Sequence, residues 1–207
     1  MSFEVRAMCP GDIAGAVALQ RACFPPPFPA ELLWKPEHLQ RHLEIFPEGQ
    51  LVAVLEAGVI GSASSLILAE EHYQMHLDWE QTVGGHFLGA HDPSGSTLYG
   101  VDISVHPAHR GKGVAKALYL QRYALVLRLG LRRYATACRL PGYRLWLTAR
   151  AEPASVEAYV EEVAAGRAQD PTLTPLLKMG LRPVGVIRDH MEDEESGHAA
   201  AALEWCP

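Results

Sequence analysis

Between Thr97 and Gly130 the sequence leaves room for one local arrangement, a strand that turns abruptly into a helix. Thr97 to Val105 is β-rich and ends on a valine. Pro107 two residues later forces a turn, because its ring fixes φ and removes an N–H. The run Arg110, Gly111, Lys112, Gly113 then opens a stretch in which Val114, Leu118, Tyr119, Ala124 (or Leu125) and Leu129 recur on one helical face. Gly130 stands in the C-cap position. Glycines at the start of a helix leave its first amides uncovered, and those amides carry about half a positive charge. With Arg110 and Lys112 beside them, the segment predicts an anion site for which a diphosphate is a natural ligand. It does not fit other phosphate loops. A Walker loop needs Ser or Thr after its lysine, where this chain has Gly113, and a dinucleotide fingerprint needs a third glycine where it has Lys116.

The rest of the chain reads around that unit. Phe3 to Ala7 is a strand, Asp12 an N-cap, and Ile13, Val17, Leu19, Ala22 and Cys23 a helical face. The proline-rich run from Phe24 to Pro29 stops that helix as a rigid loop. Pro36 to Ile45 is a second helix with Leu39, Leu43 and Ile45 inward. Gln50–Glu56 and Val59–Leu68 are strands joined at hairpin spacing by Ala57 and Gly58. Residues 69–96 have no period and read as a long loop. Arg132–Cys138 is a strand, Arg144–Ala149 a strand or short helix, Ser155–Ala165 a helix capped by Ser155, and Leu173–Met179 a short helix stopped by Gly180. Leu181–Ile187 and Ala199–Trp205 are strands, with the acidic run from Glu192 to Gly197 an exposed, solvated hairpin tip between them. Strands two to four follow one another without crossover helices, so the sheet is mixed α/β and not doubly wound. No repeat or internal boundary divides residues 1–207, which read as a single domain.

Composition narrows the function classes. A net charge of −6 provides no basic excess for nucleic acid. There is no apolar run of membrane-spanning length and no signal-peptide pattern, and Cys9, Cys23, Cys138 and Cys206 are scattered, so the expectation is a cytoplasmic protein with reduced thiols. His72 and His76 stand four apart, with Asp78, His86 and His91 following, but there is no H-E-x-x-H and the segment reads as a loop, so no metal is expected. Trp34, Trp79, Trp146 and Trp205 read as core or pocket wall.

The run Val105, His106, Pro107, Ala108, His109, Arg110, Gly111, Lys112, Gly113, Val114, Ala115 resembles the acetyl-CoA signature V-x-P-x-x-R-G-x-G-[VI]-[AG] of the GNAT superfamily of N-acetyltransferases. Pro10 to Ile13 and Met179 to Gly185 resemble weaker flanking features of the same family. Cys138 to Tyr143, Tyr159 to Val163 and Asp170 to Leu173 resemble a bacterial subgroup, some of whose members are fused to nitrilase-like hydrolase domains. The resemblance implies a mostly antiparallel sheet of about seven strands flanked by helices, with residues 139–178 a longer insertion than the family usually carries. It implies acetyl-CoA as cosubstrate and a small-molecule or peptide amine as acceptor, with direct transfer in a ternary complex and pairing of two copies through edge strands. Backbone groups of Ile103 and Val105 would take the pantetheine arm, and amides from Arg110 through Gly111, Lys112, Gly113 and Val114 to Ala115 would hold the pyrophosphate. An N–H near Ser104 or Val105 would stabilise the oxyanion. Ala108 stands where the family usually has Gln or Arg, which removes a side chain but no amide.

Transfer to an amine needs the neutral form, which a lysine-like group with a pKa of about 10.4 rarely offers at pH 7. Asp102 is the candidate base. The family's tyrosine before the late Gly-Leu pair is missing, since Leu176, Leu177 and Lys178 occupy those positions. Tyr159 or Tyr143 then becomes the candidate proton donor to the thiolate. Two other readings stand beside the enzyme: a module that binds acyl-CoA but has lost transfer chemistry, and a regulatory partner of a nitrilase-like hydrolase.

Overall fold

In the computed structural model, which describes residues 2–26, 28–56 and 58–207, one seven-stranded sheet organises the chain among the described residues. Its strands are β1 (Glu4–Ala7), β2 (Leu51–Leu55), β3 (Gly58–Leu68), β4 (Thr97–Val105), β5 (Arg133–Arg139), β6 (Arg182–Ile187) and β7 (Ala200–Trp205), in the spatial order β1-β2-β3-β4-β5-β7-β6. Every neighbouring pair is antiparallel except β4 and β5, which run parallel because a helix crosses between them. This is the mixed, mostly antiparallel sheet that the resemblance implies. Pro27 in the proline-rich run and Ala57 in the hairpin connection lie outside the described residues, as does Met1.

Helices cover both faces. On one lie α1 (Ile13–Cys23) and α2 (Pro36–Ile45), where Ala16 and Leu39 pack with Met8, Trp34 and Val52. On the other lies α5 (Val114–Leu129), whose Val114 and Leu118 sit on Ala53 and Ala63. Its Tyr119, Tyr123, Leu125 and Val126 continue into the largest core with Leu98 and Tyr134. Fully burying one such leucine contributes roughly 1.5–3 kcal/mol. Leu125, not Ala124, takes the inward position, and Leu129 is partly exposed at the helix end. Gly113 and Gly130 bound this helix, both left-handed.

The structure corrects the reading of residues 69–96 as loop. They contain α3 (Glu70–Gln74) and α4 (Trp79–Val83), the latter capped by Asp78, whose carboxylate accepts from the Gln81 amide at 2.8 Å. Helices of five residues are too short to show a period. They persist because Tyr73, Val83 and Leu88 pack on Leu66, Leu68 and Tyr99, and because Glu70 pairs with Arg133. The 139–178 segment folds as α6 (Tyr143–Thr148), α7 (Val156–Ala164) and α8 (Leu173–Lys178), which resolves the strand-or-helix alternative for Arg144–Ala149 as helix. Ser155 caps α7, as its position predicts.

Two polar readings change. The Asp12 carboxylate does not cap α1. It accepts from the Cys9 amide at 2.8 Å and forms a fork with Arg6, which holds its pKa well below the usual carboxylate range. The acidic 192–197 tip is not simply solvated. Asp193 takes a bidentate pair from Arg139, and Ser196 donates to Asp193 while accepting from the Leu140 amide, which pins the tip to the end of β5. No helix among the described residues is long and apolar enough to cross a membrane.

Candidate active site

The site begins where two strands part. β4 and β5 remain paired only from Thr97 and Arg133 to Gly100 and Thr136. Past that point β4 runs on to Val105 along β3, and β5 runs on to Arg139 along β7. A cleft opens between them, and one edge of β4 loses its neighbour. Immediately before the cleft the register shifts: Ser64 faces Asp102 but Ser65 faces Gly100, which leaves Val101 as the extra residue of a bulge.

The alternation of an antiparallel ladder tells which groups the open edge presents. The His106 amide donates to the Ile60 carbonyl at 2.9 Å, so Ser104 also turns its backbone toward β3. Ile103 and Val105 turn theirs the other way, into the cleft. The Val105 carbonyl bears this out, since it accepts from the Cys23 thiol at 3.3 Å and from Arg110 Nε at 3.1 Å, neither of which belongs to β3. Burial keeps the Cys23 thiol above its ordinary pKa and therefore a neutral donor.

At the far end of this edge comes the loop. Pro107–His109 forms a single 3-10 turn, held by the His106 ring, which accepts from the Ala108 amide. Gly111 and Gly113 have φ of +72° and +83°, the left-handed region that favours glycine, and open space lies where a Cβ would stand. The first helical bond of α5 runs from the Ala117 amide to the Gly113 carbonyl. None of the amides from Gly111 to Lys116 is matched to an acceptor within the chain among the described residues. Six consecutive free N–H groups at the start of a 16-residue helix form a strong anion cradle. The Lys112 and Arg110 side chains fold back on the Ala108 and Val105 carbonyls.

Asp102 sits on the bulge with its carboxyl toward α1 and α2. Gln20 Nε2 donates to its Oδ2 at 2.9 Å and to Ser104 Oγ at 3.1 Å, and Trp34 Nε1 donates to the same Oδ2 at 3.3 Å. Desolvation raises the Asp102 pKa, against the opposing pull of the Trp34 bond and the Arg122 charge. The Ile103 amide and the Gln20 bond also favour the charged form of this carboxyl. A carboxylate held in this way is a stronger proton acceptor than one in water. Trp34, read from sequence only as core or pocket wall, thus touches the candidate base. Around it stand the rings of His42, Trp79 and His86 at 5.0–6.1 Å. Burial pushes His42 down to about 4, so it is neutral at pH 7 and adds no charge beside Trp34.

The two candidate tyrosines come together, but in another layer. Tyr143 and Tyr159 pack with Trp146 in the core shared by α5, α7 and α8. The Tyr159 hydroxyl, fully buried, donates to Asp170 Oδ2 at 2.9 Å, and burial with that bond raises its pKa. Tyr143 donates to the Ala154 carbonyl at 3.1 Å. Sequence reasoning missed Gln20 and Arg122. Gln20 lies on the buried stripe of α1 beside Ala16 and Leu19, and a polar residue at such a position is the available signal.

Comparison with known proteins identifies the family and the fold. Residues 13–159 match the model of the "Acetyltransferase (GNAT) family". The chain is 38% identical over 204 residues to the uncharacterized N-acetyltransferase YkwB of Bacillus subtilis, covering 99% of this chain and 88% of that protein. It is 34% identical over 195 residues to the probable hydrolase YhcX of the same organism, covering 94% of this chain but only 36% of that longer protein. The fold is shared with the GNAT-like decarboxylase GphF in complex with isobutyryl-CoA, at a TM-score of 0.78, 23% identity and 98% coverage of both chains. The chain belongs to the GNAT acetyltransferase family.

Proposed function

We propose that this chain transfers an acetyl group directly from acetyl-CoA to an amine, with both substrates bound at once. The observation that carries the proposal is the continuous surface formed by the open edge of β4 and the free amides of Gly111 to Lys116. The pantetheine arm is extended and amide-bearing, and it matches an unpaired strand edge. The pyrophosphate matches the helix start. Ile103 and Val105 hold the arm, and the amides from Gly111 to Lys116 hold the phosphates; the Arg110 amide, expected among them from the sequence, donates instead to the Pro107 carbonyl at 3.3 Å.

Asp102 receives a proton from the acceptor ammonium, directly or through a water. The neutral amine then attacks the thioester carbonyl. The oxygen of the tetrahedral intermediate takes a hydrogen bond from the Val105 N–H, since the Ser104 backbone faces β3, and collapse expels CoA as its thiol, the sulfur taking the second proton of the attacking nitrogen through a water. A net charge of −6 favours a cationic acceptor such as a polyamine or a lysine side chain. The test is thiol release from acetyl-CoA across a panel of polyamines, amino acids and lysine peptides. Release with at least one class supports transfer, and none across the panel despite binding of acetyl-CoA defeats it.

The tyrosines are separated by substitution. Tyr159→Phe removes a buried donor and leaves Asp170 one bond short, so unfolding free energy should fall by about 1–3 kcal/mol. If Tyr159 protonates the thiolate, kcat falls with it by about 100-fold or more. The hydroxyl is already bound to Asp170, so the expected result is lost stability with kcat within about threefold of the parent.

A second reading draws on YhcX, of which this chain spans 36%: the domain binds acyl-CoA in the service of a hydrolase and transfers nothing. Acetyl-CoA binding without thiol release to any amine is its expected result.

A further inference from the structure

We propose that Arg122 is the positioning residue that sets the open edge of β4 for the pantetheine arm, a role that rests on the acyl-CoA reading above. Arg122 lies on the inward face of α5, four residues after Leu118, and is among the largest fully buried side chains. A buried guanidinium would be expected to meet a carboxylate. This one bonds none. Its Nε donates to Ser65 Oγ at 3.0 Å and one terminal nitrogen to the Tyr134 hydroxyl at 3.0 Å. The other terminal nitrogen donates to the Ser64 carbonyl at 2.7 Å and to the Asp102 carbonyl at 2.5 Å. The rings of Tyr119 and Tyr134 lie 5.4 and 5.6 Å from its central carbon.

Those partners define the fork of the sheet. Ser64 and Ser65 are the two β3 residues between which the register shifts, Asp102 follows the extra residue Val101, and Tyr134 is on β5, two residues before its last pair with β4. One planar cation therefore joins three strands where β4 and β5 part. Its bond to Asp102 has a directional consequence. The peptide unit is planar and trans, so the Asp102 carbonyl and the Ile103 N–H point in opposite directions. Holding the carbonyl toward α5 and β3 fixes the Ile103 N–H in the cleft, as the ladder alternation requires. A positive charge on that carbonyl also polarises the same peptide, which makes the N–H a better donor. The phosphate cradle, by contrast, is built by the Gly111–Lys116 backbone and has no bond to Arg122.

This separation makes the proposal testable without a known acceptor. Dissociation constants are measured by calorimetry for CoA and for 3′-phospho-ADP, the nucleotide part of CoA without its pantetheine arm, on the parent chain, Arg122→Met and Arg122→Lys. The parent should bind CoA more tightly than the nucleotide. Arg122→Met should keep its nucleotide affinity within about twofold and lose at least about tenfold for CoA, the equivalent of one or two edge hydrogen bonds. Arg122→Lys keeps the charge but not the fork and should recover only part. If Arg122→Met does not fold, Arg122→Lys decides alone, and its preference for CoA over the nucleotide must fall at least about threefold. A preserved preference in folded variants overturns the proposal. Equal loss of both ligands also overturns it, because it marks Arg122 as support for the whole fold. A parent chain that binds neither ligand defeats the acyl-CoA reading itself, a result distinct from both.

Discussion

Asp102→Asn should lower kcat by about 10²–10⁴-fold and leave the protein at least as stable as its parent. The two halves of this expectation share one cause. Burial raises the Asp102 pKa, so the fold disfavours the charge that proton abstraction uses. Asparagine removes that charge, and its carbonyl oxygen still accepts from Gln20 Nε2 and Trp34 Nε1, which both donate to Oδ2 in the parent. The pH profile supplies the sign. A base must be deprotonated to act, so kcat/KM of the parent should rise with pH through a limb lying above the ordinary aspartate range. That limb should be missing in Asp102→Asn. A kcat within about threefold of the parent, with the limb intact, would remove Asp102 from the chemistry.

The second large effect belongs to the loop. Gly113→Val should weaken acetyl-CoA binding by at least about tenfold, measured as the dissociation constant. Its φ of +83° is reached by a β-branched residue only with strain, and no neighbour lies within 4 Å of the added Cβ, so the conflict is in the backbone and not in packing. Relieving that strain would turn the peptide units that aim the Lys112 to Ala115 amides. The free protein should lose about 1–2 kcal/mol of unfolding free energy, the usual cost of the left-handed region for a side-chain-bearing residue. Unchanged acetyl-CoA affinity in Gly113→Val would mean that the phosphates lie elsewhere.

How far the sequence foretells this structure varies with the range of the forces involved. Local signals carried furthest. β4 and α5 lie within a residue of their predicted bounds because a proline, two glycines and a helical stripe confine that segment. The short helices at 70–83 were hidden, because what holds them is distant: Tyr73 on the sheet and Glu70 on Arg133. The tip at 192–197 was misread for a similar reason, since Arg139, which pins Asp193, is more than fifty residues away. Asp102 was legible as a candidate base, but its setting was not. Gln20 and Trp34 approach it from α1 and the segment before α2, and Arg122 reaches the same peptide from the opposite face. Arg122 sits amid an apolar stripe, and an arginine at that place in a helix reads equally as the edge of the polar face. Only the bulge in β4 explains it, and no residue pattern in the chain announces a bulge.

The central claim is that the open edge of β4 and the Gly111–Lys116 amides together form an acyl-CoA site. A thermal-unfolding scan with and without acetyl-CoA tests it most directly, with ATP and NAD as controls. A ligand at 100 times its dissociation constant adds about 2.7 kcal/mol, which for a domain of this size raises the midpoint by roughly 5–10 °C. The structure predicts that rise with acetyl-CoA and none with ATP or NAD at the same concentration. No rise with acetyl-CoA, or an equal rise with all three, would contradict it.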